Sequence, residues 1–205
     1  MFPVLSRAAR LQALVIAALA LASLLAQWIY LMDYRGTGPL ETLVDMGRFF
    51  TILTMALVVG AFAHAGLRPH HTPGAALFAS LTLAVVMTGA VYHALLARFW
   101  NPTGIGIAAD WGLHTIVPVA VFLWWLGHAP KTPLVWGDLP AFALWPAVYM
   151  AYALGLGTLD GIYPYPFMDP TIAGPWPVAA TLGTLAACVL LGGVLMIGLG
   201  RFADR

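Results

Sequence analysis

The chain reads as six apolar runs separated by short polar stretches. Each run approaches the length of about 20 residues that a helix needs to cross a bilayer. The first covers roughly Ala8 to Leu31, the second Leu43 to Ala65 and the third Pro73 to Ala97. The fourth covers Ile105 to Gly127, the fifth Asp138 to Gly155 and the sixth Trp176 to Leu199. Pro140 and Pro146 interrupt the fifth, which membrane helices tolerate where neighbours satisfy the freed backbone groups. The pattern predicts an all-α fold, a six-transmembrane-helix bundle forming a single transmembrane domain over residues 1–205. No internal repeat is evident, which argues against a transporter built from inverted halves.

Composition agrees with this pattern. The chain is 61% hydrophobic and 8% charged, whereas soluble domains carry about 25% charged residues. A net charge of +1 gives nucleic acid nothing to bind. Arg7 and Arg10 before an apolar run, with Ala20-Leu21-Ala22 after it, imitate a signal peptide. That run continues to Ile29 and is too long for a signal core of about 7–15 residues. The single cysteine, Cys188, excludes an internal disulfide and a multi-cysteine metal site, and is expected to be a buried thiol.

Six spans put both termini on one side. Arg7, Arg10, Arg68, Lys131, Arg201 and Arg205 fall there, against Arg35, Arg48 and Arg98 on the other. The basic excess predicts that both termini are cytoplasmic. Most acidic residues fall outside, with Asp138 and Asp204 as exceptions. Trp28, Tyr30, Phe99, Trp100 and Trp176 cluster near the outer boundary, as headgroup-level anchors do. His64, His70, His71 and His128 fall on the cytoplasmic side.

Two polar residues stand at matched depth in apolar surroundings. Thr51 is about seven residues into the second run from its outer end, about 10 Å deep at 1.5 Å per residue. His114 reaches a similar depth in the fourth. A hydroxyl and an imidazole so placed can act as nucleophile and base, since a threonine hydroxyl needs an adjacent base. Threonine in a membrane helix also bonds a carbonyl one turn earlier, and a histidine can simply bond across helices. Asp110 precedes His114 by four residues and shares its helix face. It can fix the imidazole tautomer as the acid of a triad does, or favour the helix dipole from the first turn. Pro118 withholds an N–H from the His114 carbonyl and predicts a kink that opens space beside the ring.

Candidate substrate-binding residues surround this pair. Arg48 can hold a carboxylate or phosphate, pair with Asp45, or snorkel to the interface. Tyr92 and His93 end the third run at the outer side, and His93 can assist His114 or meet interfacial water. Tyr149 and Tyr152 follow Trp145 at helical spacing and need partners for their hydroxyls. Tyr163 and Tyr165 lie in a loop that three prolines stiffen, expected to fold over the bundle mouth. No oxyanion hole can be read from these residues.

Three motifs together resemble one family. They are Phe49-Phe50-Thr51, then Asp110-Trp111-Gly112-Leu113-His114-Thr115 with Pro118, then Tyr163-Pro164-Tyr165-Pro166-Phe167. In order and spacing they are similar to the androgen-induced gene / androgen-dependent TFPI-regulating protein family, in its bacterial six-helix branch. The resemblance implies an integral-membrane threonine hydrolase of fatty acid esters of hydroxy fatty acids. Thr51 and His114 then stand at the positions of its threonine and histidine. It also implies a multi-pass protein of the bacterial plasma membrane, a lipid substrate entering from the bilayer, and no cofactor or metal. Where the bacterial branch carries a polar stretch after the threonine, this chain has Ile52-Leu53-Thr54-Met55.

Two other classes stay open at this stage. One is a haem-binding electron carrier or oxidoreductase with His93 and His114 as axial ligands. The other is a structural or transport role, which needs a polar path through the bundle. Oligomeric state is open too, because the small residues from Gly183 to Gly200 permit helix association without requiring it.

Overall fold

The computed structural model describes residues 5–68, 74–129 and 134–203. The predicted start of the third helix at Pro73, and His70, His71, Lys131, Asp204 and Arg205, lie outside the described residues. The described residues form an all-α bundle, and among them six helices are long and apolar enough to cross a membrane.

The first span is α1 (Arg7–Arg35). Ser6 caps its start by accepting from the Ala9 N–H at 3.1 Å, and Gly36 ends it at φ 65°, a conformation that suits glycine. The helix continues past Leu31 because its polar last turn extends beyond the apolar run. A short helix, α2 (Pro39–Met46), follows, with proline in its first turn. After a break at Gly47–Phe49 comes the second span, α3 (Phe50–Leu67). The expected helix from Leu43 to Ala65 is therefore two helices. Thr51 lies in the first turn of α3 rather than two turns inside a longer helix, and the depth counted from Leu43 does not hold.

The third span is α4 (Ala75–Val91), which runs into a π-turn at Tyr92–Leu96 and a 3₁₀ turn at Ala97–Phe99. The fourth is α5 (Ile105–Trp111), a π-turn at Gly112–Ile116, and α6 (Val117–His128). The fifth is α7 (Leu139–Asp160), which ends five residues beyond the expected Gly155, with Pro146 inside it. A loop carries the short α8 (Pro170–Ala173) before the last span, α9 (Pro175–Ala203).

The third span is the centre of the bundle: 61% of its apolar window is buried, against 17% for the fifth and 22% for the sixth. It packs against α3, α6, α7 and α9, while α1 lies along α3 and the fourth span. In lipid, helices gain little from burying apolar area against one another, so close packing holds them. Phe62, Phe78 and Trp124 interlock with centroids 4.9 to 5.8 Å apart. The Trp124 indole N–H donates to the Ala9 carbonyl at 2.9 Å and ties α6 to α1. Gly66 meets Leu14 so closely that a Cβ would fall 2.5 Å from its Cγ. Gly192 and Gly193 pack on Leu83 and Phe142 within the chain. Cys188 is exposed, contrary to expectation, because α9 lies at the rim of the bundle.

Candidate functional site

The break before α3 and the two π-turns build one site at one end of the bundle. A π-turn adds a residue to the helix and is common where side chains must be re-aimed. Here one π-turn carries Tyr92 and His93, and the other carries His114 and Thr115. The ring of Tyr92 stacks on that of His114, and His93 Nε2 lies 3.0 Å from the Thr115 hydroxyl. Gly89 lets the two spans come this close. A Cβ there would lie 2.7 Å from the His114 carbonyl oxygen, the same carbonyl that Pro118 deprives of a helical partner.

His114 Nδ1 lies 3.1 Å from Asp110 Oδ1 and 3.1 Å from the Asp110 carbonyl. Both side chains are mostly buried, 14% and 15% exposed, so water competes little for the contact. The Tyr92 hydroxyl adjoins the same carboxylate. With Nδ1 engaged by acceptors, Nε2 is the nitrogen left to take a proton.

Thr51 and His114 line one cavity of about 230 Å³, together with Gln27, Arg35, Tyr92, Leu113 and Tyr165. They do not hydrogen-bond each other. A second cavity of about 90 Å³ is lined by Thr51, Met87, Thr88, Tyr149, Tyr165 and Phe167, among others. Thr51, Tyr92, Leu96 and Tyr165 border both, so Thr51 stands between two largely apolar spaces.

The loop after α7 closes over this end. Arg48, just before α3, pairs with Asp160 and donates to the Ile162 carbonyl at 3.3 Å. The bond to Asp160 holds the Arg48 guanidinium above its usual range, against the opposing effect of burial. The loop brings in Tyr165, whose ring stacks on Phe167. Its hydroxyl accepts from the Phe50 N–H at 3.1 Å and also adjoins Thr51 and Tyr149. Phe49 at the N-cap has no side-chain oxygen, so this hydroxyl supplies the missing cap from 115 residues away. Enclosure of that hydroxyl pushes its pKa up, and the bonds from Phe50, Thr51 and Tyr149 only partly offset this.

Of the sequence-predicted residues, Thr51, His114, Tyr92, Tyr149 and Tyr165 line a cavity, and Asp110 sits behind His114. Arg48 borders neither cavity, and Asp45 pairs instead with Arg35 at 3.0 Å. Tyr152 is 41% exposed and donates to the Gly47 carbonyl at 3.2 Å. Tyr163 packs its ring onto Gly157, where a Cβ would lie 2.2 Å away. These two and His93 border neither cavity. His93 and His114 each have one ring nitrogen engaged, and both contact Tyr92. His64 lies in the last turn of α3, about 20 Å along the axis from Thr51.

Sequence reasoning missed Gly89, Gln27 and Arg35. Gly89 carried a weak signal, as a glycine within an apolar helix one turn before Tyr92. The apolar stretch after Thr51 is compensated from elsewhere: Tyr165 provides the polar neighbour, and Thr54 accepts from the Trp145 indole at 2.9 Å. Comparison of the chain with protein-family models, with curated proteins and with solved structures gives no match.

Proposed function

We propose that this protein is an integral-membrane hydrolase of lipid carboxylic esters, with Thr51 as nucleophile and His114 as base. One observation carries the reading: Thr51 and His114 open into one apolar cavity, and Asp110 holds the far nitrogen of the imidazole. An apolar cavity suits an acyl chain. His114 Nε2 takes the Thr51 proton as Oγ1 adds to the ester carbonyl, and then gives it to the leaving alcohol. Water next attacks the acyl-threonine, passes a proton through the same nitrogen, and releases the acid. Asp110 stays ionised throughout and stabilises the imidazolium. The resemblance to the androgen-induced gene family points to fatty acid esters of hydroxy fatty acids as substrates and to a bacterial plasma membrane as the setting.

Fluorophosphonate labelling of purified wild type, Thr51→Ala and His114→Ala tests this. The expected result is labelling of wild type, none of Thr51→Ala, and a rate at least about 100-fold lower for His114→Ala. Equal labelling of all three places the nucleophile elsewhere and defeats the proposal.

A further inference from the structure

We propose that the Tyr165 hydroxyl is the donor that meets the oxyanion formed when Thr51 adds to an ester carbonyl. The inference rests on the hydrolase reading above. Addition forms the Thr51 Oγ1–carbon bond and moves the carbonyl π electrons onto oxygen, while the Thr51 proton passes to His114 Nε2. The new negative oxygen lies one bond from the attacked carbon, within reach of donors beside Oγ1. Collapse restores the carbonyl, breaks the bond to the alcohol oxygen, and sends the His114 proton there. Tyr165 only donates a hydrogen bond and keeps its proton throughout.

Elimination among the cavity-lining donors favours this residue. Among the described residues four border both cavities, and of these Tyr92 and Tyr165 carry a donor besides Thr51 itself. The Tyr92 hydroxyl adjoins the Asp110 carboxylate, an acceptor for its proton. The Tyr149 hydroxyl, in the smaller cavity, donates to the Arg48 carbonyl at 2.8 Å. Thr88 in the same wall donates to the Ala84 carbonyl at 3.0 Å. Arg35 is taken up by Asp45 at 3.0 Å, and Gln27 and the Trp100 indole line the larger cavity alone, whereas Tyr165 borders both cavities with Thr51. The Tyr165 oxygen is already an acceptor, from Phe50 at 3.1 Å, which leaves its proton for another partner. An N–H bond at the positive end of a helix draws electron density from the hydroxyl and strengthens it as a donor. The hydroxyl also adjoins Thr51 directly. The Tyr149 oxygen beside it, whose own proton goes to Arg48, is a neutral acceptor, and the hydroxyl bonds a negative substrate oxygen more strongly than a neutral one. Such a donor, fixed before the reaction begins, costs no reorganisation when charge develops.

Kinetics of wild type, Thr51→Ala and Tyr165→Phe on a short-chain lipid ester give the first readout. Tyr165→Phe is expected to lower kcat by about 100- to 1000-fold and to change KM by less than about threefold. The second readout separates an oxyanion donor from a loop fastener. A trifluoromethyl ketone with the same acyl chain captures Thr51 as a hemiketal oxyanion, and the matching ether forms no such charge. Tyr165→Phe is expected to weaken the ketone by about 100-fold and the ether by less than about threefold. Equal weakening of both inhibitors assigns Tyr165 to loop structure and overturns the proposal, as does wild-type kcat. Should Tyr165→Phe not fold, fluorinated tyrosine at position 165 keeps the hydroxyl and makes it a stronger donor. The ketone is then expected to bind tighter with the ether unchanged, and an unaltered ketone affinity overturns the proposal. Turnover that is absent in wild type, or equal in Thr51→Ala, defeats the hydrolase reading itself and the oxyanion role with it.

Discussion

The ring of Tyr92 lies flat on the imidazole of His114, with 3.7 Å between centroids and 10° between planes. The stack fixes the plane of the imidazole, while Asp110 fixes its rotation within that plane. Together they leave His114 one orientation. Tyr92→Leu removes the stacking face and is expected to slow fluorophosphonate labelling by about 10- to 100-fold, since a displacement near 1 Å can cost that much. Tyr92→Phe keeps the ring and is expected to lose less than about tenfold. Equal losses in the two variants assign the orienting role to the Tyr92 hydroxyl beside Asp110 rather than to the stack.

Gly89 sets how closely the two π-turns approach. A methyl group at this position meets the His114 carbonyl at 2.7 Å, and that atom is backbone, so no side chain can swing away. Gly89→Ala therefore pushes the third and fourth spans apart. Overpacking of this kind costs about 1–3 kcal/mol. Thermal unfolding in detergent is expected at lower temperature, and labelling of the folded variant is expected to slow. A variant that labels at the wild-type rate shows that the site does not depend on this spacing.

These two relationships mark what the sequence could and could not reveal. Six spans were legible because each apolar run nears the bilayer thickness. The start of α3 was not, because Leu43, Val44 and Met46 continue the apolar run up to Gly47 and hide the break. Asp110 beside His114 followed from a spacing of four residues on one helix. The Tyr92 stack did not, since it depends on two π-turns that re-aim side chains and leave no periodicity signal. Contacts across 112 and 115 residues, Arg48 with Asp160 and Phe50 with Tyr165, require the folded loop to be known. Cys188 illustrates a different limit: apolar surroundings in sequence mean lipid as readily as core.

Arg48 and Asp160 fasten the start of α3 to the end of α7. Their side chains are 17% and 34% exposed, so solvent screens the pair only in part. In a double-mutant cycle of Arg48→Gln, Asp160→Asn and the double variant, the double variant is expected to lose less stability than the two single losses added together. The same cycle decides between fastening and substrate binding. Fastening predicts that the two single variants change KM alike. A rise in KM confined to Arg48→Gln shows instead that its guanidinium holds a substrate anion.

The Tyr165 hydroxyl titrates as an enclosed group. Burial favours its neutral form, which raises its pKa above the tyrosine range near 10. As pH rises, exposed tyrosines ionise first and Tyr165 keeps its proton. The chain has seven tyrosines, so its contribution is read by difference against Tyr165→Phe. Up to pH about 10, the tyrosinate absorbance of the two proteins is expected to coincide. A difference that develops below that pH shows water reaching the hydroxyl, and the cap on α3 is then open in solution. Coincidence means that the loop stays closed, and a donor beside Thr51 keeps its proton across the whole range in which an imidazole can serve as base.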